Sequence, residues 1–312
     1  MKKIAFLFPG QGAQYPGMGL ELSQEYDIAR QTFEEADDVL GFKLSEIIFY
    51  GSKEDLKKTE VTQPAILTVS IACTRVLNGM GIEAAGAAGL SLGEYSALVT
   101  GNSLKFEDAL PLVKKRGKYM QEAVPEGEGK MLAVLGLETE KIEAVCDEIR
   151  EETENIVRPV NYNCPGQVVI AGDSLAVDKA GARCKEENAK RAVELPVSAP
   201  FHCEMLKPAG DKLEEELKKI EFKPPDIKII SNVTGDLMEA PEQIKRMLTL
   251  QVRSPVLWEQ SIRKFLDLGF ENFIELPPGA TLTGFMKKIE KKKVVCKAID
   301  KVENLEQLRK EF

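Results

Sequence analysis

The sequence predicts an α/β fold in which a large domain with a parallel sheet carries a smaller inserted domain. A continuous apolar run at 4–8 ends at a Pro-Gly pair, which is typical of a central parallel strand buried on both faces. Strand-like and helix-like segments alternate through most of the chain. Between 128 and 197 the order becomes β-α-β-β-α-β, the order of a ferredoxin-like split unit.

The first part of the chain leads to a turn at position 91. After the first strand we expect a helix over 20–39 and another over 62–79, with Thr62 as a possible cap and Pro64 in its first turn. A small-residue strand over 84–90 then enters the turn. Two helices follow, over 96–104 and 106–124.

The middle of the chain supplies the inserted unit. Its predicted elements are, in order, strand 130–137, helix 138–152, strands 155–163 and 167–173, helix 175–189 and strand 190–197. We therefore expect a small ferredoxin-like domain over 128–197, and a large domain made of 1–127 and 198–312. The remaining predicted elements are helix 205–220, strand 226–231, helices 241–252 and 258–269, strand 272–276, helix 279–290, strand 293–299 and a last helix.

Composition excludes several classes of protein. The 312 residues are 43% hydrophobic and 29% charged, with a net charge of −8, so generic nucleic-acid binding is not expected. The six cysteines form no Cys-x-x-Cys pair, which gives no support to a zinc site and favours free thiols in a reducing cytoplasm. No segment is long enough to span a membrane, and the apolar run at 4–8 is too short for a signal peptide.

Residues 89–93 read Gly-Leu-Ser-Leu-Gly between a predicted strand and a predicted helix. This is the context of a nucleophile elbow, in which glycines permit a sharp turn and helix N–H groups can stabilise an oxyanion. The pattern alone also fits an ordinary small-residue turn. His202 changes the balance, because it is the only histidine and a serine nucleophile needs a base. A single histidine can equally be a surface or core residue.

Eight motifs occur in an order that resembles the malonyl-CoA:acyl carrier protein transacylase family, the acyltransferases of fatty-acid and polyketide synthesis. They cover essentially the whole chain and are FPGQGAQYPGMG, TQPAI, GLSLGEYSAL, KKRGKYMQEAVPEG, NYNCPGQVVIAG, VSAPFHCEMLKPA, SNVTG and QVRSPVLWEQS. The resemblance implies a hydrolase-like core with an inserted ferredoxin-like domain.

The resemblance also implies catalytic roles. Ser91 matches the acyl-accepting nucleophile and His202 its base. Gln11 and the backbone N–H of Leu92 match the oxyanion hole. Gln251 matches the residue whose backbone carbonyl accepts the histidine ring N–H, in place of a triad aspartate.

Further positions match substrate contacts of the family. Arg116 matches the guanidinium that holds the malonyl carboxylate, although a solvated basic helix face is the ordinary explanation for its KKR run. Phe201 is expected to limit the substituent on the acyl α-carbon. Leu90 departs from the family, which usually has histidine before the nucleophile, and leucine cannot make that histidine's hydrogen bond. The remaining matched pocket positions are Gln63, Asn161 and Asn163.

The implied reaction moves a malonyl group from malonyl-CoA to the phosphopantetheine thiol of acyl carrier protein through a Ser91 acyl-enzyme. It needs no metal or bound cofactor, and nucleic acid and membrane are not expected partners. Two alternatives stay open: a serine hydrolase such as a thioesterase, and a non-catalytic carrier-protein docking module. The sequence leaves open malonyl against methylmalonyl, and fatty-acid against polyketide synthesis.

Overall fold

The computed structural model describes residues 3–197 and 199–309. The α-helices are α1 Leu20–Glu25, α2 Asp27–Leu40, α3 Leu44–Tyr50, α4 Thr59–Gly79, α5 Gly93–Thr100, α6 Phe106–Glu122, α7 Thr139–Thr153, α8 Ser174–Glu186, α9 Lys207–Leu217, α10 Pro241–Gln251, α11 Trp258–Asp267, α12 Thr281–Ile289 and α13 Val302–Arg309. The strands are β1 Ile4–Phe8, β2 Gly86–Gly89, β3 Gly129–Leu135, β4 Val157–Cys164, β5 Gln167–Asp173, β6 Arg191–Glu194, β7 Lys228–Ile230, β8 Leu237–Met238, β9 Asn272–Glu275 and β10 Val295–Ala298.

The larger sheet has the strand order β10-β9-β1-β2-β7-β8. All of its pairs are parallel except the edge pair between β7 and β8. Strand β1 lies inside the sheet with every residue buried, which explains why its sequence is a continuous apolar run rather than an alternating one. The predicted α/β class with a parallel sheet is confirmed.

The smaller sheet has the strand order β4-β5-β3-β6 and is antiparallel throughout. Helices α7 and α8 pack against it over a separate apolar core. This is the arrangement of the predicted ferredoxin-like unit. Residues 1, 198 and 312, where the predicted domain limits fall, lie outside the described residues, and the division into domains stays a prediction.

Local details differ from the sequence-based expectation. The helix predicted over 20–39 is two helices, because Tyr26 between them has an extended backbone (φ −125°, ψ 117°). Helix α4 begins at Thr59, so Thr62 is not its cap; the Thr62 hydroxyl donates instead to backbone carbonyls of the preceding turn. Helix α3 was not predicted. Among the described residues, no helix is both long and apolar enough to cross a bilayer.

The fold brings two loops together where β1 and β2 end. Phe8 and Gly89 are register partners at these carboxyl ends, so the chain after each strand emerges at the same edge. Helix α5 approaches both strands at backbone contact. A Cβ built on Gly93 would lie 2.2 Å from the Phe8 carbonyl oxygen, and one on Gly89 would lie 1.8 Å from the Gly93 carbonyl carbon. Only glycine allows this approach.

We expect Gly93→Ala to destabilise the protein by more than about 3 kcal/mol, because the added methyl group meets backbone that cannot rotate away. Gly284→Ala is the matched control, since a Cβ there meets nothing within 4 Å and alanine favours the helix by about 0.5–1 kcal/mol. Urea denaturation measures both. Equal midpoints for the two variants would contradict the close approach of α5.

Candidate active site

Ser91 occupies the turn between β2 and α5 in a left-handed backbone conformation (φ 53°). Its N–H donates to Asn232 Oδ1 at 2.7 Å, and the preceding Leu90 N–H donates to the Phe8 carbonyl at 2.9 Å. A non-glycine residue in this region is strained, and such strain persists only where neighbours hold it. The turn therefore holds Ser91 in one fixed position at the carboxyl-terminal edge of the large sheet.

Ser91, His202 and Gln251 form a chain of hydrogen bonds. The Oγ of Ser91 lies 2.8 Å from His202 Nε2, and His202 Nδ1 lies 2.7 Å from the backbone carbonyl oxygen of Gln251. A carbonyl only accepts, so Nδ1 carries the proton and Nε2 is left to accept from the serine hydroxyl. His202 also has a left-handed backbone (φ 65°). The predicted serine, histidine and carbonyl are thus brought together in the predicted order.

Arg116 completes the group from α6. Its Nη2 donates to Ser91 Oγ at 3.0 Å and to Gln251 Oε1 at 2.9 Å, and its Nη1 donates to Gln63 Oε1 at 2.9 Å. The guanidinium carbon lies 5.4 Å from the centre of the Tyr95 ring. The side chain is only 1% exposed, which rules out a solvated helix face for this residue. Its Nε is buried and has no partner among the described residues.

The imidazole of His202 is held neutral. The pKa of His202 is lowered from 6.5 to about 4: burial is the main cause, the positive charge of Arg116 adds to it, and the hydrogen bond to Gln251 opposes both. Above about pH 4 the ring is therefore unprotonated. In this state Nε2 can accept a proton from Ser91.

Of the predicted oxyanion donors, Leu92 follows Ser91 in the chain, and Gln11 lines the same cavity. Leu92 directly precedes α5, so its N–H is one of the unpaired donors of a helix N-terminus. Gln11 lies in the loop after β1, where its side-chain amide donates to Thr59 Oγ1 at 3.4 Å. Both residues line the same cavity as Ser91. They can direct N–H groups at an oxygen bound near the serine.

A cavity of about 260 Å³ opens over Ser91. The predicted substrate-binding residues that line it are Gln63, Leu90, Arg116, Asn161, Asn163 and Phe201. Much of the remaining wall is apolar and comes from both sheets and from α12. Leu90 thus places a leucine side chain in the cavity wall. Gln251 is buried outside the lining of this cavity. Within 3–197 and 199–309, no group of three or more His, Cys, Asp or Glu side chains could hold a metal ion.

Two residues beneath the serine were missed by the sequence reasoning. Glu94 is fully buried and Asn232 binds the Ser91 backbone. Both occur in the quoted motifs GLSLGEYSAL and SNVTG, but the positions lie 138 residues apart. Only the spacing of Glu94, three residues after Ser91 at the start of a helix, could have indicated that the carboxylate lies close to the serine.

The fold and the Ser91–His202 pair define a class of α/β proteins in which a serine accepts an acyl group. The chain belongs to the acyl transferase domain family, whose model matches residues 5–309. It is 48% identical over 292 residues to the malonyl CoA-acyl carrier protein transacylase of Bacillus subtilis, covering 94% of this chain and 92% of the relative. It is 47% identical over 290 residues to the Escherichia coli K12 protein of the same name, covering 93% of each.

Solved structures agree with the sequence relatives. An acyl carrier protein S-malonyltransferase from Vibrio cholerae superposes with a TM-score of 0.95 at 45% identity, covering 98% of this chain and 100% of that one. A malonyl-transacylase solved in complex with its type II polyketide synthase acyl-carrier protein gives a TM-score of 0.96 at 42% identity, with both chains fully covered.

We expect the imidazole of His202 to titrate with a pKa of about 4, and Arg116→Ala to raise this pKa because it removes a neighbouring positive charge. His202 is the only histidine, so NMR of protein labelled at histidine follows it without interference. Lys118→Ala, an exposed residue on the same helix, is the control and should leave the pKa unchanged. A pKa near 6.5 in the unmodified protein would contradict the burial of the ring.

Proposed function

We propose that this protein transfers a malonyl group from malonyl-CoA to the phosphopantetheine thiol of an acyl carrier protein through an ester on Ser91. The observation that carries this proposal is the buried Arg116 guanidinium, 3.0 Å from the Ser91 hydroxyl oxygen. A fixed positive charge beside the nucleophile suits an acyl group that ends in a carboxylate. The relatives named as malonyl CoA-acyl carrier protein transacylases support the same donor and acceptor.

In the first half of the proposed cycle, Ser91 Oγ attacks the thioester carbonyl carbon while His202 Nε2 takes the hydroxyl proton. The N–H of Leu92 and the Gln11 loop stabilise the resulting oxyanion. The intermediate collapses, the carbon–sulfur bond breaks, and His202 returns the proton to the departing coenzyme A sulfur. The malonyl group remains as an ester on Ser91.

The second half reverses the first. The carrier-protein thiol gives its proton to His202 and its sulfur attacks the ester carbonyl carbon. When the carbon–oxygen bond to Ser91 breaks, the serine oxygen recovers the proton from His202. Every bond is made and broken between the two substrates and Ser91, so the proposed cycle needs no bound cofactor.

Arg116 supports a dicarboxylic acyl group in particular. Its hydrogen bonds go to uncharged partners and its buried Nε–H is unpaired among the described residues, so a substrate carboxylate would supply the missing acceptor. A thioesterase for simple fatty acyl chains would give this buried guanidinium no substrate carboxylate to bind. A docking module would not need the aligned serine and histidine.

The setting follows from the same family. We propose fatty-acid synthesis as the pathway, with polyketide synthesis as the alternative that one solved relative represents. We propose the cytoplasm as the compartment, supported by the six cysteines, all of which are free thiols. Phe201, which lines the cavity, is proposed to restrict the acyl group near its α-carbon, and Leu90 is proposed to lack the substrate contact that the family's usual histidine makes.

Intact-protein mass spectrometry after mixing with malonyl-, methylmalonyl- or acetyl-CoA tests the proposal. We expect a single malonyl adduct that Ser91→Ala abolishes, and transfer of the adduct when holo-acyl carrier protein is added. If water removes the adduct as fast as the carrier thiol does, the protein is a hydrolase. If no adduct forms with any of the three, the catalytic proposal is wrong.

Arg116→Ala should lower malonyl loading about 100-fold or more, because charge-assisted hydrogen bonds contribute about 1.5–3 kcal/mol each. Acetyl loading should be retained or improved, since acetyl has no carboxylate to hold. Arg116→Lys keeps the charge but loses the planar fork and should recover malonyl loading only in part. Lys118→Ala is the surface control. An equal loss for both acyl groups would make Arg116 a structural residue.

A further inference from the structure

A buried carboxylate lies directly beneath the serine turn. Glu94 belongs to the first turn of α5 and is fully buried. Its Oε2 accepts from the Asn232 N–H at 2.8 Å and from Gln251 Nε2 at 3.0 Å, while its Oε1 has no partner among the described residues. The proposed reaction makes no use of this group. Burying an ionisable side chain costs free energy unless the group is paired and hydrogen-bonded.

The hydrogen bond between Glu94 and Gln251 determines which way the Gln251 side-chain amide faces. An ionised carboxylate only accepts, so it requires the NH₂ end of the amide. That NH₂ group donates to Glu94 and to the backbone carbonyl of Ser91 at 3.0 Å. The opposite end, Gln251 Oε1, then accepts from Arg116 Nη2. The same Nη2 lies 3.0 Å from Ser91 Oγ, so Glu94 orients the Arg116 guanidinium through the Gln251 side-chain amide.

The hydrogen bond between Glu94 and Asn232 supports the strained turn that carries Ser91. Glu94 holds the backbone N–H of Asn232, whose side chain bridges the two sides of the turn. Asn232 Nδ2 donates to the Gly89 carbonyl at 2.7 Å, and Asn232 Oδ1 accepts from the Ser91 N–H at 2.7 Å. One carboxylate therefore supports both the position of the nucleophile and the position of the cation beside it.

We propose that Glu94 is a positioning residue for malonyl loading, acting on Arg116 through Gln251 and on Ser91 through Asn232. This inference rests on the proposed function for the identity of the acyl group. It assigns Glu94 no contact with substrate.

The charges around Glu94 make its role dependent on pH. The pKa of Glu94 is raised to about 7, because the effect of burial exceeds the opposing effects of the hydrogen bonds from Asn232 and Gln251 and of the charge of Arg116. The other titratable groups facing this network are Tyr95, with its pKa raised to about 12 by burial, and His202, which is neutral above about pH 4. Glu94 is thus the group that ionises near neutral pH, and it becomes an acceptor-only carboxylate as pH rises through about 7.

Glu94→Gln keeps the size of the side chain and removes the charge. We expect malonyl loading at about pH 8 to fall roughly tenfold, because a charge-assisted hydrogen bond is about twice as strong as a neutral one. Acetyl loading should fall less. In the unmodified protein, malonyl loading should rise with pH through about 7, and in Glu94→Gln this rise should be absent, so that the two converge at about pH 5.5. In an Arg116→Ala background, Glu94→Gln should no longer change the malonyl-to-acetyl ratio.

Glu275→Gln is the matched control. Glu275 is also fully buried and accepts from the backbone N–H groups of Leu282 and Thr283, which are not members of the hydrogen-bond network of Ser91, Arg116, Gln251 and Asn232. We expect it to lower the melting temperature and to leave the pH profile and the acyl ratio unchanged. If Glu94→Gln behaves in the same way, or lowers both acyl groups equally, the positioning role is refuted.

Labelling of Ser91 with a fluorophosphonate separates this inference from the proposed function. If the unmodified protein takes no malonyl group, the proposed function fails, and the Glu94 inference is judged by labelling alone. Glu94→Gln should then label more slowly at about pH 8, by less than the roughly tenfold expected for malonyl loading because the label has no carboxylate to hold, and with no rise through pH 7. Unchanged labelling would overturn the inference.

Discussion

The site is arranged around the buried positive charge of Arg116 and its hydrogen bonds. Removing a guanidinium from water is costly, and here the cost is offset by three amide or hydroxyl acceptors and by the face of the Tyr95 ring. One of those acceptors is the Ser91 oxygen itself. The cation therefore lies in contact with the nucleophile. Burial is the main cause of the lowered pKa of His202, and the same positive charge lowers it further, which favours the unprotonated base.

The two sheets contribute unequally to this arrangement. The large sheet brings the loop after β1 and the turn after β2 to one edge, and close backbone packing of α5 holds them there. The small sheet supplies a wall of the cavity. It is tied to the large part of the chain by an isolated parallel bridge between Asn161 and Val256, which places β4 next to the chain segment after α10. Gln251 ends α10, so the same segment connects the cavity wall with the residue that orients His202.

Patterns that reflect local physics were readable in the sequence. The apolar run of β1 and the alternation of strands and helices identify the parallel sheet, and the single histidine directs attention to His202. Arg116 and Gln251 were found only through resemblance, because a KKR run and a glutamine have no distinctive pattern. Glu94 and Asn232 were missed because their contacts join residues far apart in sequence. Thr62 was misassigned as a cap because a threonine can also donate to carbonyls of the preceding turn.

The neutral partner of His202 follows from the same buried charge. A carboxylate in place of the Gln251 carbonyl would add a second buried negative charge to a site that already holds Glu94. That charge would compete with an acidic acyl group for the guanidinium. The negative charge of Glu94 is instead separated from Arg116 by the Gln251 side chain, which contacts both. The arrangement balances the buried charge while leaving the Arg116 Nε–H without a carboxylate acceptor among the described residues.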